Sequence, residues 1–169
     1  MSSPVVDLAG RVYENLLSFF FPSLCILCDA PPREGSVWLC RDCYHALVAN
    51  HDNRRACPRC SLNQELGSCT CDLVWDHPFE RIYSLFDFDE NVRGLVHQIK
   101  YKGRGRLAYD LGVVGSAMLP GDLVEGVDGV VAIPLHPIKR LRRGYNQAER
   151  FARGLVAGHE RLRDRKSVV

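Results

Sequence analysis

The eight cysteines of this chain all lie between residues 25 and 71, and they form four close pairs. The pairs are Cys25 and Cys28, Cys40 and Cys43, Cys57 and Cys60, and Cys69 and Cys71. Three are Cys-x-x-Cys and the last is Cys-x-Cys. A Cys-x-x-Cys turn directs two thiolates at one point, and two such turns complete a tetrahedral shell for zinc. The pattern therefore predicts two structural Zn²⁺ ions. Sequential pairing is favoured, and the spacing leaves a cross-braced arrangement open.

An even cysteine count also fits a disulfide framework, which requires an oxidising compartment. The first eleven residues lack the basic region and the cleavage site of a secretory signal. The apolar stretch 16–27 is interrupted by polar residues and Pro22, and it is too short to span a bilayer. We therefore expect a cytoplasmic protein with reduced thiols and no membrane span. His45, His51 and His77 are near enough in sequence to replace a ligand, but we interpret them as surface or packing residues.

Three parts follow one another along the 169 residues. Residues 1–21 carry apolar side chains at three- and four-residue intervals, which predicts an amphipathic helix. Residues 22–75 are the predicted double zinc ribbon, and metal binding supplies most of its folding free energy. Residues 76–169 change to an α/β pattern, so the predicted fold class is α/β.

Three helices and two strands are expected in the α/β part. The helical periodicity is carried by Val92, Leu95, Val96 and Ile99, by Leu107, Leu111, Val114 and Met118, and by Ala148, Phe151, Ala152 and Leu155. Residues 81–88 are rich in aromatic and branched side chains, as in a strand or hairpin arm. Residues 127–133 are an almost continuous apolar run, which predicts a central strand of a parallel sheet, buried on both faces.

A basic loop, residues 134–147, joins that strand to the third helix. Ligands of open α/β sheets collect beyond the carboxyl ends of the strands, and a helix N-terminus placed there suits a phosphate. The loop carries Lys139, Arg140, Arg142 and Arg143, and Gly144 permits close backbone approach. These features favour a phosphate-rich ligand, and a solvated basic loop is the alternative.

Three short motifs follow the cysteine pairs: Ile-Lys-Tyr-Lys-Gly at 99–103, Ala-Ile-Pro-Leu-His-Pro at 132–137, and Arg-Gly-Tyr-Asn-Gln-Ala at 143–148. Together with the cysteines they resemble the ComF family of competence-associated proteins over residues 22–156. In that family a double zinc ribbon is fused to a type I phosphoribosyltransferase-like domain. The resemblance implies that the loop binds the pyrophosphate of phosphoribosyl pyrophosphate through Pro134, Leu135, His136, Arg143, Gly144, Tyr145, Asn146 and Gln147. It implies basic support from Lys100, Lys102, Lys139, Arg140 and Arg142.

The sequence departs from the family pattern after the basic loop. Type I phosphoribosyltransferases carry a later strand that ends in two acidic residues, followed by a Thr-Thr-Gly-type turn that binds the 5-phosphate. Neither motif occurs here, so the resemblance implies a domain truncated before the 5-phosphate loop. Because positioning of the donor supplies much of the rate, we expect no transferase activity from this chain and assign no catalytic residue. Mg²⁺ with phosphoribosyl pyrophosphate is expected only of a complete domain.

Two functions remain open from the sequence. The first is a ComF-like protein of competence and DNA uptake that binds phosphoribosyl pyrophosphate or a nucleotide when complete. The second is a zinc-ribbon adaptor that binds single-stranded DNA or a partner of the DNA-uptake machinery without catalysis. Residues 92–106 contain five basic and no acidic side chains, whereas residues 72–90 contain six acidic ones and a single basic one. A polyanion is therefore expected to meet the later segments.

Overall fold

The computed structural model describes residues 24–33, 38–53, 55–65, 67–69, 71 and 78–164. The chain forms two compact units, Met1–His45 and Ala46–Val169, and the division falls inside the first described helix. The last four cysteines, from Cys57 to Cys71, which we call the second cysteine group, therefore belong to the larger unit. The helix predicted for residues 1–21 lies outside the described residues.

Helices supply the regular structure of the described residues. They are α1 (Arg41–Asn53), α2 (Glu90–Tyr101), α3 (Gly105–Ser116), α4 (Gly121–Glu125), α5 (Pro137–Arg143), α6 (Gln147–Gly158) and α7 (Glu160–Asp164). The three helices predicted from apolar periodicity correspond to α2, α3 and α6, so those predictions are confirmed. The short helices α4 and α5 were not predicted, since neither is long enough to show a period. In the described part of the chain, no helix combines the length and apolar character needed to cross a membrane.

The core of the larger unit is built around α3, which packs along α6 and also contacts α2. Leu107 and Leu111 of α3 and Leu95 and Ile99 of α2 are buried. Each of these pairs is spaced four residues apart, which places both members on one face of their helix. Apolar burial on these faces therefore fixes the orientation of α2 and α3.

The predicted α/β fold with a parallel sheet is wrong for the described residues, which form helices and isolated bridges such as Ala56 with Asn63 but no strand. Residues 131–136 are irregular, and Val131 and Ile133 are 77% and 79% exposed. A strand buried on both faces needs neighbouring strands that accept and donate its backbone hydrogen bonds. No described segment provides such a neighbour, so apolar composition alone does not make residues 127–133 a strand.

The strand expected at residues 81–88 is likewise irregular in the structure. Two of its backbone amides form hydrogen bonds with the turn that holds Cys57 and Cys60, and not with a neighbouring strand. The Ile82 amide donates to the Arg59 carbonyl at 2.7 Å, and the Ser84 amide donates to Ser61 Oγ at 3.1 Å. The segment then enters α2, where Asp89 caps the helix by accepting from the Val92 amide at 2.8 Å.

Candidate functional site

Four cysteines of the smaller unit form the first candidate metal centre: Cys25, Cys28, Cys40 and Cys43. Their sulfur atoms all lie within 4.8 Å of one another. Cys28 Sγ is 3.5 Å from both Cys40 Sγ and Cys43 Sγ. A tetrahedral zinc with Zn–S bonds of about 2.3 Å places its sulfur ligands about 3.8 Å apart. The spacing and the all-sulfur donor set therefore fit a structural zinc ion.

The first Cys-x-x-Cys turn has its geometry fixed by the backbone. The Cys25 amide donates to the Ala30 carbonyl at 2.8 Å, and the Asp29 amide donates to the Cys25 carbonyl at 2.9 Å. Asp29 adopts the left-handed conformation, with φ of 58°, which is uncommon for a residue other than glycine. The second half of the centre lies at the start of α1, where the Cys43 amide approaches Cys40 Sγ at 3.4 Å.

The larger unit contains the second centre, which consists of Cys57, Cys60, Cys69 and Cys71. These sulfur atoms also lie within 4.8 Å of one another. The turn repeats the hydrogen bonds of the first: the Cys57 amide donates to the Leu62 carbonyl, and the Ser61 amide donates to the Cys57 carbonyl, both at 2.9 Å. Ser61 lies at the position equivalent to Asp29 and also adopts the left-handed conformation, with a φ of 59°. The two groups follow chain order, and their local geometry is that of a repeated zinc knuckle.

In each centre, hydrogen bonds from backbone amides stabilise the thiolate form of one cysteine and lower its pKa. Burial disfavours the ionised form of Cys25, but hydrogen bonds from the backbone of Cys40 and its own turn outweigh it and lower the pKa to about 7. In the second centre, the backbone amides of Cys60 and Arg59 lower the pKa of Cys57 to about 6. The neighbouring Cys60 thiol raises the pKa of Cys71 to about 12. Crowded thiols of this kind require a cation to hold them all as thiolates.

Among the described residues, His45 and His51 do not join either cysteine group. His51 Nε2 lies 2.8 Å from the Tyr83 hydroxyl, and the His45 ring packs edge-on against Tyr44. His77 lies outside the described residues. His45 and His51 therefore make packing contacts, in agreement with their sequence interpretation.

Two capped helices organise the basic loop. His136 precedes α5, and its Nδ1 accepts from the Ile138 amide at 3.3 Å. Gly144 ends α5 with a φ of 81°, in the left-handed region that glycine adopts without strain. Asn146 then caps α6: its Oδ1 accepts from the Ala148 amide at 3.0 Å, and its Nδ2 donates to the Ile133 carbonyl at 2.9 Å. The buried Asn146 therefore ties both ends of the loop together.

A tyrosine joins the basic loop to the end of α2. The Tyr145 hydroxyl donates to the Ile99 carbonyl, which lies 46 positions earlier in the chain. The Tyr145 ring also packs on Gly105, where an added Cβ would lie 3.2 Å from it. Two positions before Tyr145, the Arg143 guanidinium donates to Gln147 Oε1. These contacts bring the 99–103 and 143–148 motifs side by side.

A basic pocket with a volume of about 370 Å³ lies between the end of α2 and α5. It is lined by Lys100, Tyr101, Lys139, Arg142 and Arg143. Lys100, Lys139 and Arg142 have no ion-pair partner within the described ranges. Four cations converge on this pocket, and no carboxylate lines it. The arrangement is suited to an anion with several negative charges.

The other loop residues lie elsewhere. Arg140 faces Glu149, with Nη2 and Oε2 3.7 Å apart, and the exposed Lys102 does not line the basic pocket. Pro134 and Leu135 are also outside its lining, and Gln147 lines an adjoining apolar cavity.

The structure also places Tyr101 in the lining of the basic pocket, although the sequence did not predict it as a site residue. Its position between Lys100 and Lys102 could have indicated it. The pocket does not fit Mg²⁺: this cation prefers oxygen ligands, and none of the lining side chains is a carboxylate.

Comparison with known proteins finds relatives of modest similarity. The chain is 28% identical over 134 residues to the DNA utilization protein YhgH of Escherichia coli (strain K12), which covers 76% of this chain and 58% of the relative. It is 29% identical over 141 residues to the protein of that name in Salmonella typhimurium (strain LT2), covering 80% of this chain and 61% of the relative. The chain thus spans about three fifths of these relatives. No family model and no solved structure matches it.

Proposed function

We propose that this chain serves in DNA utilisation and that its basic pocket binds the phosphate groups of single-stranded DNA. The names of its relatives support the cellular role. The observation that carries the binding proposal is the meeting of Lys100 and Tyr101 with Lys139, Arg142 and Arg143 in one pocket. In this proposal the two cysteine centres hold structural zinc and take no part in chemistry.

Cations beside an exposed aromatic ring suit single-stranded DNA for two reasons. Each phosphate that a lysine or arginine neutralises releases a condensed counterion, which makes binding favourable at low salt. A base freed from pairing presents a flat face that stacks on an aromatic side chain. The basic pocket offers four cations for the first contribution and Tyr101 for the second.

The test is the salt dependence of binding to a fluorescein-labelled oligothymidylate, measured by anisotropy with the zinc-loaded chain. With four phosphate contacts, the logarithm of the binding constant should fall linearly with the logarithm of the salt concentration, with a slope of magnitude up to about 3. Lys100→Ala should weaken binding and reduce that slope by about 0.7. The matched control Lys102→Ala removes the same side chain two positions away, outside the pocket lining, and should leave the slope unchanged. Absence of binding at low salt, or equal effects of both variants, would contradict the proposal.

A second candidate is a small phosphate-bearing ligand, phosphoribosyl pyrophosphate or a nucleotide, in the same pocket. The volume of about 370 Å³ favours it, because it lies within the range of about 300–1,000 Å³ that small-molecule sites occupy. Competition against the labelled oligonucleotide distinguishes the candidates. If phosphoribosyl pyrophosphate still competes better than ATP at high salt, the small-ligand candidate is supported. Displacement by both ligands alike, which fades as salt rises, supports the DNA backbone.

A further inference from the structure

A groove along α2 adjoins the basic pocket. Its volume is about 520 Å³, and Phe88, Arg93 and His97 line it together with Lys100 and Tyr101. The last two residues also line the basic pocket, so the two depressions lie next to each other at this point. We call this depression the α2 groove.

Two aromatic side chains of the α2 groove are unusually exposed. Phe88 is 72% exposed and Tyr101 is 69% exposed. The Tyr101 ring packs against the His97 imidazole, with ring centroids 4.9 Å apart and planes tilted by 45°. The contact supports the tyrosine ring from one side while most of the residue stays open to solvent. A ring held in this way loses little conformational entropy when a flat partner stacks on it.

The charge of the α2 groove matches that of the basic pocket. Arg93 and Lys100 line it, and neither has an ion-pair partner in the part of the chain that the structure describes. Its one acidic lining residue is Glu90, at the start of α2, away from the basic pocket along the helix. From Arg93 to Tyr101 the helix rises about 12 Å. Stacked nucleotides repeat at about 3.4 Å, so this length holds more than one of them.

From these contacts we propose that the α2 groove is a base-stacking track, in which Tyr101 and Phe88 each receive a base of a single strand whose phosphates enter the basic pocket. The inference rests on the proposed function and adds to it a second stacking ring, Phe88, and the path of the strand along α2. A basic groove combined with exposed aromatic rings is the pattern of sequence-tolerant single-strand binding. A docking surface for a protein would instead be expected to have an apolar centre largely free of charge.

The test compares an oligothymidylate with an abasic oligomer of equal length, which has the same phosphates but no bases. Tyr101→Ala and Phe88→Ala should each weaken oligothymidylate binding by about 5- to 150-fold. Neither should change the salt slope, because no phosphate contact is lost. On the abasic strand both variants should bind like the wild type. Tyr101→Phe should keep the affinity for both strands, since the ring is retained. Phe79→Ala, an exposed aromatic outside the α2 groove, should behave as the wild type.

Each failure has its own signature. If Tyr101→Ala binds oligothymidylate as tightly as the wild type, the stacking track and the stacking contribution of Tyr101 are wrong, while the binding of phosphates by the cations of the basic pocket stands. If the variant weakens binding to both strands equally, Tyr101 supports the pocket or the fold and does not stack on a base, which also overturns the inference. If the wild type binds neither strand at low salt, the proposed function fails and the track fails with it.

Discussion

At the scale of single residues, Tyr145 has the clearest structural role in the candidate site. Its ring packs on Gly105 and its hydroxyl reaches the Ile99 carbonyl. Neither contact was foreseen, because both partners lie about 40 or more positions earlier in the chain. The motif around Tyr145 was predicted from the sequence to belong to a ligand-binding loop, but its distance from Lys100 cannot be read from the sequence. The two contacts of Tyr145 join the two basic segments.

Tyr145→Phe keeps the ring and removes this hydrogen bond. We expect the free energy of unfolding to fall by about 1 kcal/mol, as measured by urea denaturation. Burial also raises the pKa of Tyr145 above its ordinary value. Its stabilising contribution is therefore complete below about pH 10 and is lost as the pH rises through the raised pKa. Tyr145→Phe should not show this loss of stability at alkaline pH. Tyr101→Phe, at an exposed tyrosine, is the control, and equal effects of the two substitutions would contradict the role given to Tyr145.

At the scale of elements, α3 and α6 approach each other closely through glycine. A Cβ at Gly112 would overlap the Phe151 carbonyl oxygen, and one at Gly154 would overlap the Tyr109 carbonyl oxygen. Sequence reasoning correctly found both helices from their large apolar residues. It gave no role to these glycines, since glycine inside a helix weakens the helical signal. Only the packing of one helix on the other makes the absence of a side chain necessary.

Gly154→Ala should therefore destabilise the larger unit by about 1–3 kcal/mol, because the atoms it meets belong to rigid backbone. Gly121→Ala is the matched control at the start of α4, where an added Cβ meets nothing within 4 Å. This control should be neutral or stabilise by up to about 1 kcal/mol, since alanine restricts the unfolded chain. Thermal unfolding followed by circular dichroism measures both. A Gly154→Ala protein as stable as the wild type would show that the helices do not pack this closely.

At the scale of the whole molecule, the two cysteine centres have different consequences for the rest of the chain. The second centre is hydrogen-bonded to the segment that leads into α2: Arg59 accepts from Ile82, and Ser61 accepts from Ser84. Asn63 Nδ2 also lies 3.4 Å from Asp87 Oδ2. A metal in this centre therefore supports residues 82–87 as well as its own turn.

We expect a mercurial reagent to release two zinc ions per chain, and acidification to release them as well. Protons compete with zinc because zinc binds the thiolate form of cysteine. The stability that zinc contributes is therefore present at neutral pH and is lost as the pH falls and protons displace the metal. Cys57→Ser should leave one zinc and speed hydrogen exchange at the Ile82 and Ser84 amides. Cys28→Ser, in the other unit, should also leave one zinc but spare those amides. Retention of two zinc ions by either variant would contradict the assignment.

The sequence by itself determined the local features of this protein. Cysteine spacing predicted two four-thiol sites because a Cys-x-x-Cys turn is built within a few residues, and apolar periodicity located three helices because a helix bonds to itself. Spacing left the pairing of the turns open, and the structure groups them in chain order. Tertiary structure decided whatever needed a distant partner. The apolar run 127–133 was wrongly expected to be a buried strand, since a strand requires neighbours that its composition does not supply. The basic pocket likewise depends on Tyr145 reaching Ile99, a long-range contact that no local pattern encodes.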